Sequence, residues 1–101
     1  MTQTRIRHQV IFCLKSGKSG PQTERFLEDG RRILREIPGV ENFQVLRQTS
    51  VKNDYDFGFS MDFVDQAAYD AYSAHPKHTA FVTERWKTEV SRFLEIDFQE
   101  I

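Results

Sequence analysis

Apolar and polar residues alternate from position 6 to position 14. Ile6, His8, Val10, Phe12 and Leu14 share one side, and Arg7, Gln9, Ile11 and Cys13 share the other. A period of two is that of a β-strand, here with one strongly apolar face that also carries His8. The run Lys15-Ser-Gly-Lys-Ser-Gly20 is turn-rich, and Pro21 suits the first position of a helix. Phe26, Gly30, Ile33, Leu34 and Ile37 then recur at helical spacing, so residues 21 to 36 are predicted to form an amphipathic helix. Gly30 falls on its buried stripe. A mid-helix glycine costs about 1 kcal/mol against alanine, so that position asks for a close contact or an open space.

Pro38-Gly39 ends the helix, and alternation resumes over residues 41 to 48, with Phe43 and Val45 set against Asn42, Gln44 and Leu46. After a polar turn, Tyr55, Phe57, Phe59, Met61 and Phe63 alternate with Asp56, Gly58, Ser60 and Asp62, which predicts a hairpin of two strands. Asp65 is an N-cap for a short helix over residues 66 to 74, broken at Pro76. A second helical run over residues 77 to 92 has an inner stripe of His78, Val82, Trp86, Val90 and Phe93, and Leu94, Ile96 and Phe98 mark a last strand. The order β-α-β-β-α-β predicts an α+β, ferredoxin-like fold, a four-stranded antiparallel sheet with helices on one face. It is one domain over residues 1–101. The open sheet face carries Arg7, Gln9, Ile11, Cys13, Gln44, Leu46, Gly58 and Ser60, a mixed surface that a second copy could cover.

Composition narrows the class. Of 101 residues, 39% are apolar and 29% charged, as in globular domains. Fourteen Lys and Arg against fifteen Asp and Glu leave a net charge of -1, which argues against nucleic acid as a partner. A single cysteine, Cys13, excludes an internal disulfide and points to a reducing, cytoplasmic setting. The opening residues lack the apolar core of a signal peptide, and no apolar run is long enough for a membrane span.

Two motifs read as structure. Gly17-Lys18-Ser19 is the end of a phosphate-binding loop, but Phe12 stands where its first glycine belongs, so it is a turn. Arg31, Arg32 and Arg35, near Glu28 and Glu36, read as a solvated helix face. Chemistry concentrates in Tyr72-Ser-Ala-His75-Pro76-Lys-His78. Pro76 forces His75 out of helical geometry. His78 opens the next helix, whose positive end disfavours imidazolium, and shares a stripe with Val82 and Trp86, so it should face inward and be neutral. Tyr72 closes over the same space, and His8 approaches from the sheet. A tyrosine hydroxyl donating to a developing oxyanion and a neutral histidine taking a proton suit enolisation without a cofactor. The alternative is a structural cluster in which His78 and His75 fix the turn. A third option gathers His8, His75 and His78 as metal ligands, although Pro76 constrains two of them and no carboxylate converges on them. Phe26, Phe81 and Trp86 are either core or, with Gly30 opposite, the lining of a cavity.

Arg7-His8-Gln9-Val10-Ile11-Phe12, Ile37-Pro38-Gly39-Val40, Tyr72-x-x-His75-Pro76-x-His78 with Phe81-Val82, and the closing Asp97-Phe98 resemble the stress-responsive A/B barrel family, also called the dimeric α+β barrel (Dabb) domain. The resemblance covers nearly the whole chain. It implies a homodimer closed through the open sheet faces into a barrel, and a stress-response or pocket protein with no assigned activity. A distant resemblance to olivetolic acid cyclase, a member of that family, implies an alternative: a cofactor-independent cyclase or isomerase of polyketide-like β-keto substrates. In that reading Tyr72 and His78 are catalytic. Substrate-binding positions are His8, Val10, Phe12, Phe26, Gly30, His75, Phe81 and Trp86, and no metal is used. A pocket tyrosine and a third-strand histidine of that enzyme fall at Gly30 and Phe57 here.

Overall fold

The computed structural model describes residues 4–101. The reading of the opening residues as no signal peptide rests partly on residues 1–3, which lie outside the described residues. The elements are β1 (Ile6–Leu14), α1 (Pro21–Leu34), β2 (Glu41–Arg47), β3 (Phe57–Phe63), α2 (Gln66–Ala74), α3 (Pro76–Phe81), α4 (Lys87–Glu89) and β4 (Val90–Phe98), with a π-helical segment (Val82–Trp86) joining α3 to α4. The strands lie in the order β2-β3-β1-β4, every neighbouring pair antiparallel. The helices cover one face. This is the expected ferredoxin-like arrangement. Among the described residues, no helix is long and apolar enough to cross a membrane.

The alternation that defines β1 sorts its side chains as expected, with Ile6, His8, Val10, Phe12 and Leu14 buried. Element ends shift where local hydrogen bonds compete with the regular pattern. Helix α1 stops at Leu34 because the Ile37 N–H donates to the Leu34 carbonyl in a tight turn before Pro38. Strand β3 starts at Phe57, not Tyr55, since the Tyr55 N–H is taken by the Asn53 side chain and its carbonyl by Gln48.

The largest departure is at the last helix. It does not run to residue 92 but ends at Glu89, and Val90 and Phe93, expected on its inner stripe, lie in β4. The Lys87 N–H reaches back five residues to the Val82 carbonyl, the wider turn that defines a π segment. The Glu89 carbonyl then accepts from the Lys15 N–H, which joins the chain to the end of β1.

The core beneath the helices is aromatic. Phe12 packs edge-on against Phe26 and Phe59 at ring separations of 5.9 and 4.8 Å. Gly30 answers the question its sequence position raised: it is a close contact. A Cβ there would lie 2.7 Å from Cζ of Phe59, so only hydrogen leaves room for that ring. The open face is more apolar than its sequence list. Residues of β4 opposite Ile11, Gln9 and Arg7 are Leu94, Ile96 and Phe98, so these three project outward. Gly58 and Ser60, expected on that face, are buried near its middle, where the Gln9 amide reaches the Ser60 hydroxyl.

Candidate functional site

Where the sheet meets α2, α3 and the π segment, the packing leaves a cavity of about 190 Å³. Its apolar walls include Val10, Leu34, Phe59, Met61, Phe81 and Trp86, and its polar groups come from His8, Tyr72, His78 and Glu95. Phe93 and Glu95 are exposed, while Val10, Phe59 and Met61 at its floor are buried, so it opens along β4.

Each polar group is placed by its local sequence. Asp65 accepts from the Ala68 N–H and starts α2, whose inner face presents Tyr69 and Tyr72, three residues apart. His75 is extended at φ −65° and ψ 137°, as a residue before proline prefers, and its Nδ1 accepts from the Lys77 N–H at 3.1 Å. That cap turns the chain so that His78 lands beside Tyr72, with ring centroids 4.6 Å apart. Tyr72 is 3% exposed, and burial, the foremost cause, pushes its hydroxyl well above the usual tyrosine range. It therefore stays protonated, able to donate.

His78 Nδ1 lies 3.0 Å from the Ser73 carbonyl oxygen. A carbonyl only accepts, so Nδ1 carries the proton, and the neutral ring keeps its lone pair on Nε2. Burial lowers the His78 pKa first of all. The nearby His8 imidazole acts in the same direction, while the Ser73 bond and Glu95 act the other way. Burial is thus the foremost cause of its neutrality.

His8 is held separately. Its Nδ1 lies 2.6 Å from Asp97 Oδ1 and 3.1 Å from the Tyr69 hydroxyl. Since the carboxylate only accepts, Nδ1 is again the protonated nitrogen, and the Tyr69 hydroxyl oxygen accepts from the same N–H. Burial and Asp97 together raise the Tyr69 pKa. The His8 ring lies 6.4 Å from that of Tyr72, so the three side chains adjoin one another along the cavity.

Of the residues singled out from sequence, Tyr72, His78, His8, Val10, Phe81 and Trp86 line this space. Four do not. Phe12 and Phe26 are sealed in the aromatic core, Gly30 abuts Phe59, and His75 is a helix cap outside the lining. The three histidines do not converge either. His75 is turned to its own backbone, and among the described residues no group of three or more His, Cys, Asp or Glu could hold a metal ion. Sequence reasoning missed Glu95 as a lining residue, and Asp97 and Tyr69 as partners of His8. The spacing of Tyr69 and Tyr72 was a readable signal for one of these. The other two needed the β1–β4 register, which sets Asp97 opposite His8.

A family model described as the Stress Responsive A/B Barrel Domain (Dabb) matches residues 6–100. A Dabb family protein with a ferredoxin-like fold from Mesorhizobium loti is 52% identical, with a TM-score of 0.96 over 98% of this chain and 99% of that one. A protein from Arabidopsis thaliana shares the fold at 23% identity, TM-score 0.82, over 95% of each chain. A hydroxynitrile lyase from Passiflora edulis shares it at 13% identity, TM-score 0.83, over 98% of this chain and 95% of that one. No curated protein matches the chain.

Proposed function

The chain belongs to the stress-responsive A/B barrel (Dabb) family, and from that premise we propose that it works as a homodimer with one small-molecule pocket per subunit. In that pocket Tyr72 and His78 perform acid–base chemistry on a carbonyl compound about one ring in size. The observation that carries this reading is the cavity itself, which holds a buried phenol and a neutral imidazole side by side. A volume of about 190 Å³ suits a single ring with a short substituent, since an engineered cavity of about 150 Å³ already admits benzene. It is small for the extended chain of a polyketide intermediate, so an enolising isomerase of compact substrates fits better than a cyclase of long ones.

The chemistry follows from the two side chains. Nε2 of His78 takes a proton from carbon next to a carbonyl. The Tyr72 hydroxyl donates to the oxygen as negative charge builds there, and the apolar walls strengthen that bond by excluding water. Return of the proton at another position completes an isomerisation, and none of these steps calls for a cofactor. That this fold carries a lyase in the Passiflora protein supports its use as a catalytic frame.

The dimer is supported by the open face. Leu46, Leu94 and Phe98 are exposed there although large and apolar, a patch that a second sheet of the same kind would cover. A lone cysteine supports an intracellular setting, and near-balanced charge supports a partner other than nucleic acid.

The test is α-proton exchange of single-ring ketones in deuterated water, followed by NMR. The intact protein should accelerate exchange, and His78→Ala and Tyr72→Phe should each remove most of the acceleration while leaving the fold intact. Full acceleration in both variants would rule the assignment out.

A further inference from the structure

The polar groups of the cavity differ in charge from those of a site built for acids. Among the described residues that line it there is no lysine or arginine, and its one carboxylate is that of Glu95 at the mouth. Asp97, two residues on and on the same side of β4, adds a second carboxylate beside His8. Arg85, next in the chain to the lining residue Trp86, is committed elsewhere, 2.7 Å from Asp29 and paired with Glu89. The remaining polar groups are the Tyr72 hydroxyl and two imidazoles. Burial keeps His78 neutral, so it brings no positive charge to the site.

From this arrangement we infer that the pocket selects uncharged ring compounds and turns anions away, with Glu95 as the residue that sets the discrimination. The inference rests on reading the cavity as a small-molecule site, and names the class of compound that site accepts. A carboxylate or phosphate entering it would leave water for apolar walls with no lysine or arginine to meet it and with His8 already paired to Asp97, and would pass a like charge on the way. A neutral ketone or alcohol loses little on entry, because Tyr72 donates to its oxygen. Substrates of this protein are thus expected without a free acid group or phosphate.

An NMR titration of the full chain with acetophenone and with benzoate tests this, since the two probes share a ring and nearly the same size. At pH 7.5 acetophenone should shift the signals of Tyr72, His78 and the Trp86 indole. Benzoate should bind at least about tenfold more weakly, given the cost of stripping water from an unpaired carboxylate. Glu95→Gln, an exposed change that should not disturb folding, should narrow that gap several-fold. Benzoate binding as well as acetophenone would overturn the selection while leaving the pocket reading intact. An unchanged gap in Glu95→Gln would overturn the role of Glu95. Binding of neither probe would remove the pocket reading, and the inference with it.

Discussion

The covered face of the sheet has two halves built on opposite terms. In one, Phe12, Phe26 and Phe57 are sealed with essentially no exposure, and ring packs on ring. In the other, the same sheet and the same helices leave a hollow edged by histidine, tyrosine and glutamate. Phe59 is the wall between them. It packs against Phe12, Phe26 and Phe43 on one side and lines the cavity on the other. The sealed half supplies stability by burying apolar surface, at about 25 cal/mol per Å². The hollow half gives some of that up and places polar groups where a ligand can meet them. On the proposed function, stability and chemistry are assigned to neighbouring parts of one small core.

Truncation should break this contrast most visibly. Phe26→Ala empties the middle of the sealed half and should cost about 3–5 kcal/mol, read as a large drop in the denaturant midpoint. Tyr72→Phe in the hollow half removes only a hydroxyl and should cost under about 1 kcal/mol. A similar loss in both variants would mean that the two halves are not built differently.

Gly30→Ala tests the wall. Alanine gains about 1 kcal/mol in helix propensity, but its methyl would sit 2.7 Å from a Phe59 ring that is already tightly held. Phe59 also lines the hollow, which gives the ring room to yield in that direction. A net loss of about 1–2 kcal/mol is expected, together with weaker acetophenone binding. A stabilised variant with unchanged binding would show that Phe59 does not couple the halves.

A smaller effect concerns pH. The His78 pKa is lowered in the folded state by burial. Below the usual histidine value of about 6.5 the unfolded chain therefore takes up this proton first. The stability that neutral His78 contributes is present above that value and is lost as pH falls through it toward the lower folded pKa. Thermal melts of the intact protein between pH 7.5 and 5 should fall more steeply than those of His78→Asn. Parallel curves would mean that the ring is not desolvated.

The contrast also explains what the sequence could and could not say. Strict alternation in β1 and β3, and the proline at position 76, gave the strands, the helix break and the meeting of Tyr72 with His78. The last strand was legible from its alternation, but not which side it turns to the helices: its apolar residues Leu94, Ile96 and Phe98 face outward and its acids Glu95 and Asp97 face the helices. That reverses the usual rule for a sheet with one covered face, and no pattern within a single chain reveals it. Periodicity also carried the last helix too far. Val90 and Phe93 keep helical spacing from His78, yet the π segment uses an extra residue and hands them to β4. Gly30 marked a special position correctly, but only the structure distinguishes a glycine that admits a ring of the protein from one that makes room for a ligand.

A crystal structure of the protein soaked with acetophenone tests most directly whether Tyr72 and His78 serve one ligand site. The expected result is a ring lying between Val10, Phe81 and Trp86, with its carbonyl oxygen in hydrogen-bonding reach of the Tyr72 hydroxyl and His78 Nε2 facing its methyl group. A hollow closed by the protein's own side chains, with the His78 ring turned out to solvent, would contradict it.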